Sequence, residues 1–166
     1  MASVDFTPTI VPAPESLLRS DNQIELAKIF ILDDEPLNIR IVQKCLRHAG
    51  YTNVVSTSDS RTAVDLIRSE RPDLIVLDIM MPHVSGMHIL EVIRGDCRLH
   101  HIPVLILTAS GDDVMKDQAL TSGATDFLTN PIHPVELLAR IRNALIVKAH
   151  HDHLAAYSGR LEQEVR

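Results

Sequence analysis

The sequence predicts an α/β fold: a doubly wound sheet of five parallel strands in the order 2-1-3-4-5, helices on both faces, and an extended C-terminal helix. Three observations predict it. Ile29-Phe30-Ile31-Leu32, Leu74-Ile75-Val76-Leu77 and Val104-Leu105-Ile106-Leu107 are short, wholly apolar runs, as strands covered on both faces require. Segments with apolar residues at helical spacing separate them, and right-handed crossovers then make the sheet parallel. Each run surfaces on polar residues, namely Asp33-Asp34-Glu35, Asp78 and Thr108.

Pro36 suits the first turn of a first helix, where its missing N–H costs nothing. Leu37, Ile41, Val42, Cys45 and Leu46 recur at helical spacing, and Gly50 stops that helix. Asn53-Val54-Val55-Ser56 is a second, shorter strand. The next helix starts from a cap at Ser58 or Ser60 and turns Ala63, Val64 and Ile67 inward. Arg71-Pro72-Asp73 opens the third strand, and Pro82 with Gly86 turns the chain after it. A third helix carries His88, Ile89, Val92 and Ile93. Pro103 precedes the fourth strand, and Gly111-Asp112-Asp113 opens a fourth helix that ends at Ser122-Gly123. Asp126-Phe127-Leu128 is the fifth strand, ending on Asn130-Pro131. The fifth helix starts near Pro134 and carries Val135, Leu138, Ile141, Leu145 and Ile146.

At 166 residues with 45% apolar content, the chain is long enough for one domain with a sizeable core. Its 16 basic and 22 acidic residues give a charge of −6, which argues against a nucleic-acid or membrane surface. Cys45 and Cys97 match no metal spacing and read as reduced cytosolic thiols. No apolar run approaches the roughly 20 residues of a membrane span, and the N-terminus lacks the pattern of a signal peptide. Residues 1–26, with Pro8, Pro12, Pro14, Ser16 and Ser20, read as a flexible leader with one helical turn near Glu15 to Arg19.

In open parallel sheets ligands bind at the carboxyl ends of the strands. The predicted order puts Asp34 and Asp78 on adjacent ends, with Thr108 one strand along and Asn130 one further. Asp78 alone is compatible with a metal ligand, a base, or a nucleophile that accepts a phosphoryl group. Converging carboxylates repel, so the cluster calls for a cation, and oxygen donors select Mg²⁺ or Mn²⁺. Thr108 suits a hydrogen bond to a phosphoryl oxygen, with small Ala109 leaving room. A flavin-binding module would need a phosphate loop rich in Ser, Thr and Gly after the first strand. An aspartyl-phosphate hydrolase would need Asp-x-Asp there. Asp33-Asp34-Glu35 is neither.

Asp33-Asp34-Glu35-Pro36, Asp78-Ile79-Met80-Met81-Pro82 with Gly86, Thr108-Ala109, and Phe127-Leu128-Thr129-Asn130-Pro131 together resemble a two-component response-regulator receiver, a CheY-like domain of flavodoxin-like fold, over residues 27–148. The resemblance implies a cytoplasmic phosphoprotein that is not an enzyme beyond its own phosphorylation and dephosphorylation. Asp78 would take the phosphoryl group from a histidine kinase or phosphotransfer protein. Mg²⁺ would be held by Asp33, Asp34, Asp78 and the Met80 carbonyl. Thr108 would move toward the phosphoryl group and Phe127 would follow inward, remodelling the face built by the fourth helix, fifth strand and fifth helix. The family carries Lys where this chain has Asn130, and the bond after it is commonly cis. Asn keeps hydrogen bonding but loses the charge, which implies stronger dependence on the metal, weaker coupling to the switch, or a phosphorylation-independent interaction module. Met80 and Ser110 flank the path of a hydrolytic water.

Residues 149–166 continue the last helix without Pro, with Leu154, Tyr157, Leu161 and Val165 at 3/4 spacing and Gly159 as a weak point. A helix from 134 to 166 would be roughly 50 Å long. So narrow an apolar stripe needs a partner helix, and the expectation is a homodimer through this helix or through the fourth-helix, fifth-strand and fifth-helix face. Leu161-Glu162-Gln163-Glu164-Val165-Arg166 resembles the connector of regulators with an HD-GYP-type output. His151-Asp152 lies within the connector and is not the catalytic pair of such an output. His150, His151 and His153 read as a solvated face, and His83, His100 and His101 as loop residues.

Overall fold

A computed structural model describes residues 24–109 and 111–165. Its elements alternate: β1 (Ile29–Leu32), α1 (Pro36–His48), β2 (Val54–Thr57), α2 (Ala63–Glu70), β3 (Leu74–Asp78), α3 (Gly86–Gly95), β4 (Val104–Thr108), α4 (Asp113–Thr121), β5 (Asp126–Thr129) and α5 (Pro134–Glu164). All strand pairs are parallel and the order is β2-β1-β3-β4-β5, as the sequence predicts.

Successive strand residues face opposite sides of a sheet, and the core divides accordingly. Ile29, Ile31, Leu74, Val76, Leu105 and Leu107 pack with Val42 and Leu46 of α1 and Leu137 and Ile141 of α5. Phe30, Leu32, Ile75, Leu77 and Ile106 pack on the other face with Ile67 of α2, Ile89 and Ile93 of α3, and Ala119 of α4. Each fully buried Leu, Ile or Phe contributes about 1.5–3 kcal/mol of transfer free energy, so the strands are the best-anchored part of the chain.

Helix punctuation follows the sequence at most ends. Pro36 and Pro134 open α1 and α5. The Asp112 side chain caps α4 by accepting from the Met115 amide. Gly50 follows α1 with φ of +94°, which glycine tolerates without cost.

In α1, a helix as the spacing predicts, the inward stripe is Ile39, Val42 and Leu46, while Leu37 (59% exposed) and Ile41 face outward. The structure departs from the sequence reading in two places. α2 starts at Ala63 with Thr62 before it and no side-chain cap, so neither Ser58 nor Ser60 caps it. Ser60 is buried and bonded to another segment. Ile24, assigned to the leader, packs in the core beside α5. The helical turn expected at Glu15 to Arg19, Ser110 and Arg166 lie outside the described residues.

α5 runs unbroken through Gly159 for 31 residues, about 46 Å. Its buried residues end at Leu145, and every described residue from Ala149 onward is exposed. Among the described residues no helix is long and apolar enough to cross a membrane.

Candidate functional site

The sheet register builds the site. β1 pairs with β3 up to Leu32 opposite Leu77, so the next residues, Asp33 and Asp78, stand side by side at the carboxyl end of the sheet, where Asp78 is still paired with Leu107 of β4. Asp33, Asp34 and Asp78 each bring a carboxylate oxygen within 4.8 Å of the others. Asp33 is 1% exposed, whereas Asp34 is exposed and Asp78 half-buried.

The electrostatics of this trio are unfavourable without a counter-charge. Asp33 Oδ1 accepts from the Glu35 amide at 2.9 Å, but the buried Oδ2 has no partner among the described residues. Burial, more than any other cause, lifts the Asp33 carboxyl above its usual range; the Glu35 amide and Asn38 side chain oppose it. Burial, then the Asp33 charge, pushes Asp78 up to about 7, with Asp34 adding to the rise and the Met80 amide opposing it. That amide donates to Asp78 Oδ1 at 3.3 Å. An orphaned buried carboxylate oxygen beside two more carboxylates fits a hard divalent cation, which takes oxygen ligands.

The loop after Asp78 folds back tightly. The Gly86 amide donates to the Ile79 carbonyl at 3.0 Å, and a Cβ at Gly86 would sit 2.2 Å from the Asp78 carbonyl oxygen. Only glycine permits that approach. Met80 is 65% exposed.

The other expected site residues line the neighbouring strand ends. Thr108 is 2% exposed, and its hydroxyl donates to the Leu128 carbonyl at 3.4 Å, across to β5. The Asn130 backbone N–H donates to the Thr108 carbonyl at 2.8 Å, and the Asn130–Pro131 bond is cis, as expected. Phe127 is half-buried between two cations, Lys116 of α4 at 5.2 Å and Arg140 of α5 at 5.9 Å from the ring centre. Arg140 is itself bound by Asp126 and Glu136. Sequence reasoning found Phe127 but missed its flanking cations, which come from α4 and α5, the helices before and after its own strand. It also missed the role of Gly86 as a contact point, although the glycine had been singled out as a turn.

Residues 29–142 match the family model described as the response regulator receiver domain. The chain belongs to the response-regulator receiver family. The receiver is 38% identical over 117 residues to the response regulator PleD of Caulobacter vibrioides, covering 70% of this chain and 26% of that protein. It is 36% identical over 129 residues to the regulatory protein VanRc of Enterococcus gallinarum, covering 78% of this chain and 54% of that one. The chain thus spans about a quarter to a half of these curated relatives. Among solved structures, the receiver matches a putative response regulator of Chloroflexus aurantiacus with a TM-score of 0.70 at 30% identity, over 73% of this chain and 98% of that one. The Vibrio cholerae chemotaxis protein CheY4 matches with a TM-score of 0.66 at 28% identity, over 72% and 98%.

Proposed function

We propose that this receiver accepts a phosphoryl group on Asp78 from a histidine kinase or phosphotransfer protein. An Asp78 carboxylate oxygen bonds to phosphorus as the bond from phosphorus to the donor imidazole breaks, and the electron pair stays on the imidazole nitrogen. The observation that carries this reading is the orphaned Asp33 Oδ2 within a three-carboxylate cluster that includes Asp78. Asp33, Asp34, Asp78 and the Met80 carbonyl are the groups that would hold Mg²⁺ or Mn²⁺. The ion, when bound, offsets the charge of the carboxylates and of the incoming phosphoryl oxygens.

Thr108 leaves its bond to the Leu128 carbonyl to meet the phosphoryl group, and Phe127 moves with it. Asn130 supplies a neutral donor in place of the family's Lys. Leu37 and Val135, exposed in the first turns of α1 and α5, and exposed Met80 offer the donor protein apolar side chains at the carboxyl end of the sheet.

Residues 24–148 form the receiver, with Ile24 packed in its core, the residues before them the leader and 149–166 a connector, in a cytoplasmic regulator. Val147, Leu154 and Leu161 recur every seven residues, with Tyr157 between, all exposed on α5. That stripe supports a homodimer through paired helices; the α4-β5-α5 face is the other candidate. The connector resembles that of regulators with an HD-GYP-type output. A second reading, a phosphorylation-independent interaction module, is favoured by Asn130 alone.

Incubation with Mg²⁺ and a small-molecule phosphodonor decides between the readings. We expect a mass gain of one phosphoryl group that Asp78→Asn abolishes. No gain in the unsubstituted protein leaves the interaction module. Light scattering with and without a phosphoryl mimic and Mg²⁺ tests the dimer.

A further inference from the structure

We infer that Ser60 is a positioning residue for the loop that follows Asp78, and through it for Met80; this rests on the phosphoacceptor reading above. Ser60 sits in the turn between β2 and α2 and is 5% exposed. Its hydroxyl donates to the Pro82 carbonyl at 2.8 Å and accepts from the Val84 amide at 3.2 Å, reaching 22 and 24 residues along the chain.

Those two groups bracket His83. The Val84 amide also faces the Pro82 carbonyl at 2.9 Å, and His83 has φ of +69°. This is a γ-turn with a positive central φ, a rare and strained shape for a residue with a Cβ. One hydroxyl therefore bonds both ends of a turn that local preference would open.

The serine is itself fixed. The Asp59 amide donates to Thr57 Oγ1, the Arg61 amide donates to Asp59 Oδ1, and Thr62 Oγ1 donates to the Asp59 carbonyl, so the turn holding Ser60 is braced on both sides. The loop then has two anchors. Gly86 seats its far end on the Asp78 and Ile79 backbone, and Ser60 seats its tip on the α2 side. Met80 lies between Asp78 and that tip, with its amide on the Asp78 carboxylate. A buried serine that merely satisfied itself would need one partner; this one closes a strained turn beside the acidic cluster.

The test compares Ser60→Ala, Ser60→Gly and Ser60→Thr in the full chain by Mg²⁺ titration calorimetry and by hydrogen exchange of residues 79–85 in metal-free protein. Ser60→Ala and Ser60→Gly should weaken Mg²⁺ affinity about tenfold, the scale of a lost outer-shell partner. They should also speed exchange in residues 79–85 while protection in β1, β3 and β4 is unchanged. Ser60→Thr, which keeps the hydroxyl, should restore both. Folded Ala and Gly variants with unchanged affinity or unchanged loop exchange overturn the inference. Failure of the underlying reading shows separately, as no Mg²⁺ binding by the unsubstituted protein. Because Gly leaves no methyl in the buried site, it carries the test if the Ala variant melts early.

Discussion

The two ends of the sheet treat charge in opposite ways. At the amino ends of the strands every named charge has a partner. The Lys28 amide donates to Asp73 at 2.8 Å and its ammonium pairs with Glu70 at 2.9 Å. Lys148 bridges Asp73 at 3.1 Å and Asp152 at 2.6 Å. Arg94 donates to the carbonyls of Gly123, His100 and Ile102. At the carboxyl ends, three carboxylates crowd together and one buried oxygen has no partner among the described residues. The first end is built to be finished by the chain itself. The second is left incomplete at a cost to stability, which selects for something that arrives from outside.

The largest effect that could break this contrast is chemical. Asp78→Asn should abolish phosphoryl incorporation, read by intact mass. Incorporation on another residue at the wild-type level would show that the incomplete end is not a reaction site.

Next comes stability without a divalent ion. Asp33→Asn and Asp78→Asn should each raise the melting temperature of metal-free protein by a few degrees, and both should lose most of the Mg²⁺-induced rise seen in the unsubstituted chain. The pH dependence has a definite sign. A carboxyl raised on folding binds its proton more tightly in the folded state. For Asp78 that stabilisation is full below the ordinary value of 3.8 and is lost as pH rises through about 7. Metal-free protein should therefore melt lower at pH 8 than at pH 6, and the gap should narrow in Mg²⁺ or in Asp78→Asn.

Asn130→Lys tests whether a cation can complete the carboxyl end from within. A charge-assisted hydrogen bond exceeds a neutral one by about 1 kcal/mol. The variant should stabilise metal-free protein by about that much and lower the Mg²⁺ concentration needed for phosphorylation. No change in either would mean residue 130 does not reach the cluster.

The smallest effect belongs to the finished end. Lys148→Met should cost about 1 kcal/mol in thermal or urea melts and speed exchange around residues 148–152, with phosphorylation unchanged. Altered phosphorylation would mean the two ends are coupled.

The fold was legible because double-sided burial leaves unbroken apolar runs, and the acidic trio because it terminates those runs. Which apolar residues of α1 point inward was not legible: α1 is apolar at more positions than one face can bury, and spacing alone does not separate the row of Leu37 and Ile41 from that of Ile39, Val42 and Leu46. Ser60 looked like a cap because serine before a helix usually is one; its true partners are more than 20 residues away. Lys116 and Arg140 meet Phe127 only after two helices dock, and no local pattern carries that information.

One consequence of α5 concerns scale. Its first half is gripped by the core, while Ala149–Glu164 is exposed and extends for about 24 Å, meeting the rest of the chain near its root where the His151 ring stacks on His101. The projecting part acts as a pointer: a tilt of about 5° at its root displaces the far end by about 2 Å. A rearrangement too small to disturb the sheet would thus reach Glu164 as a shift comparable to a rotamer change.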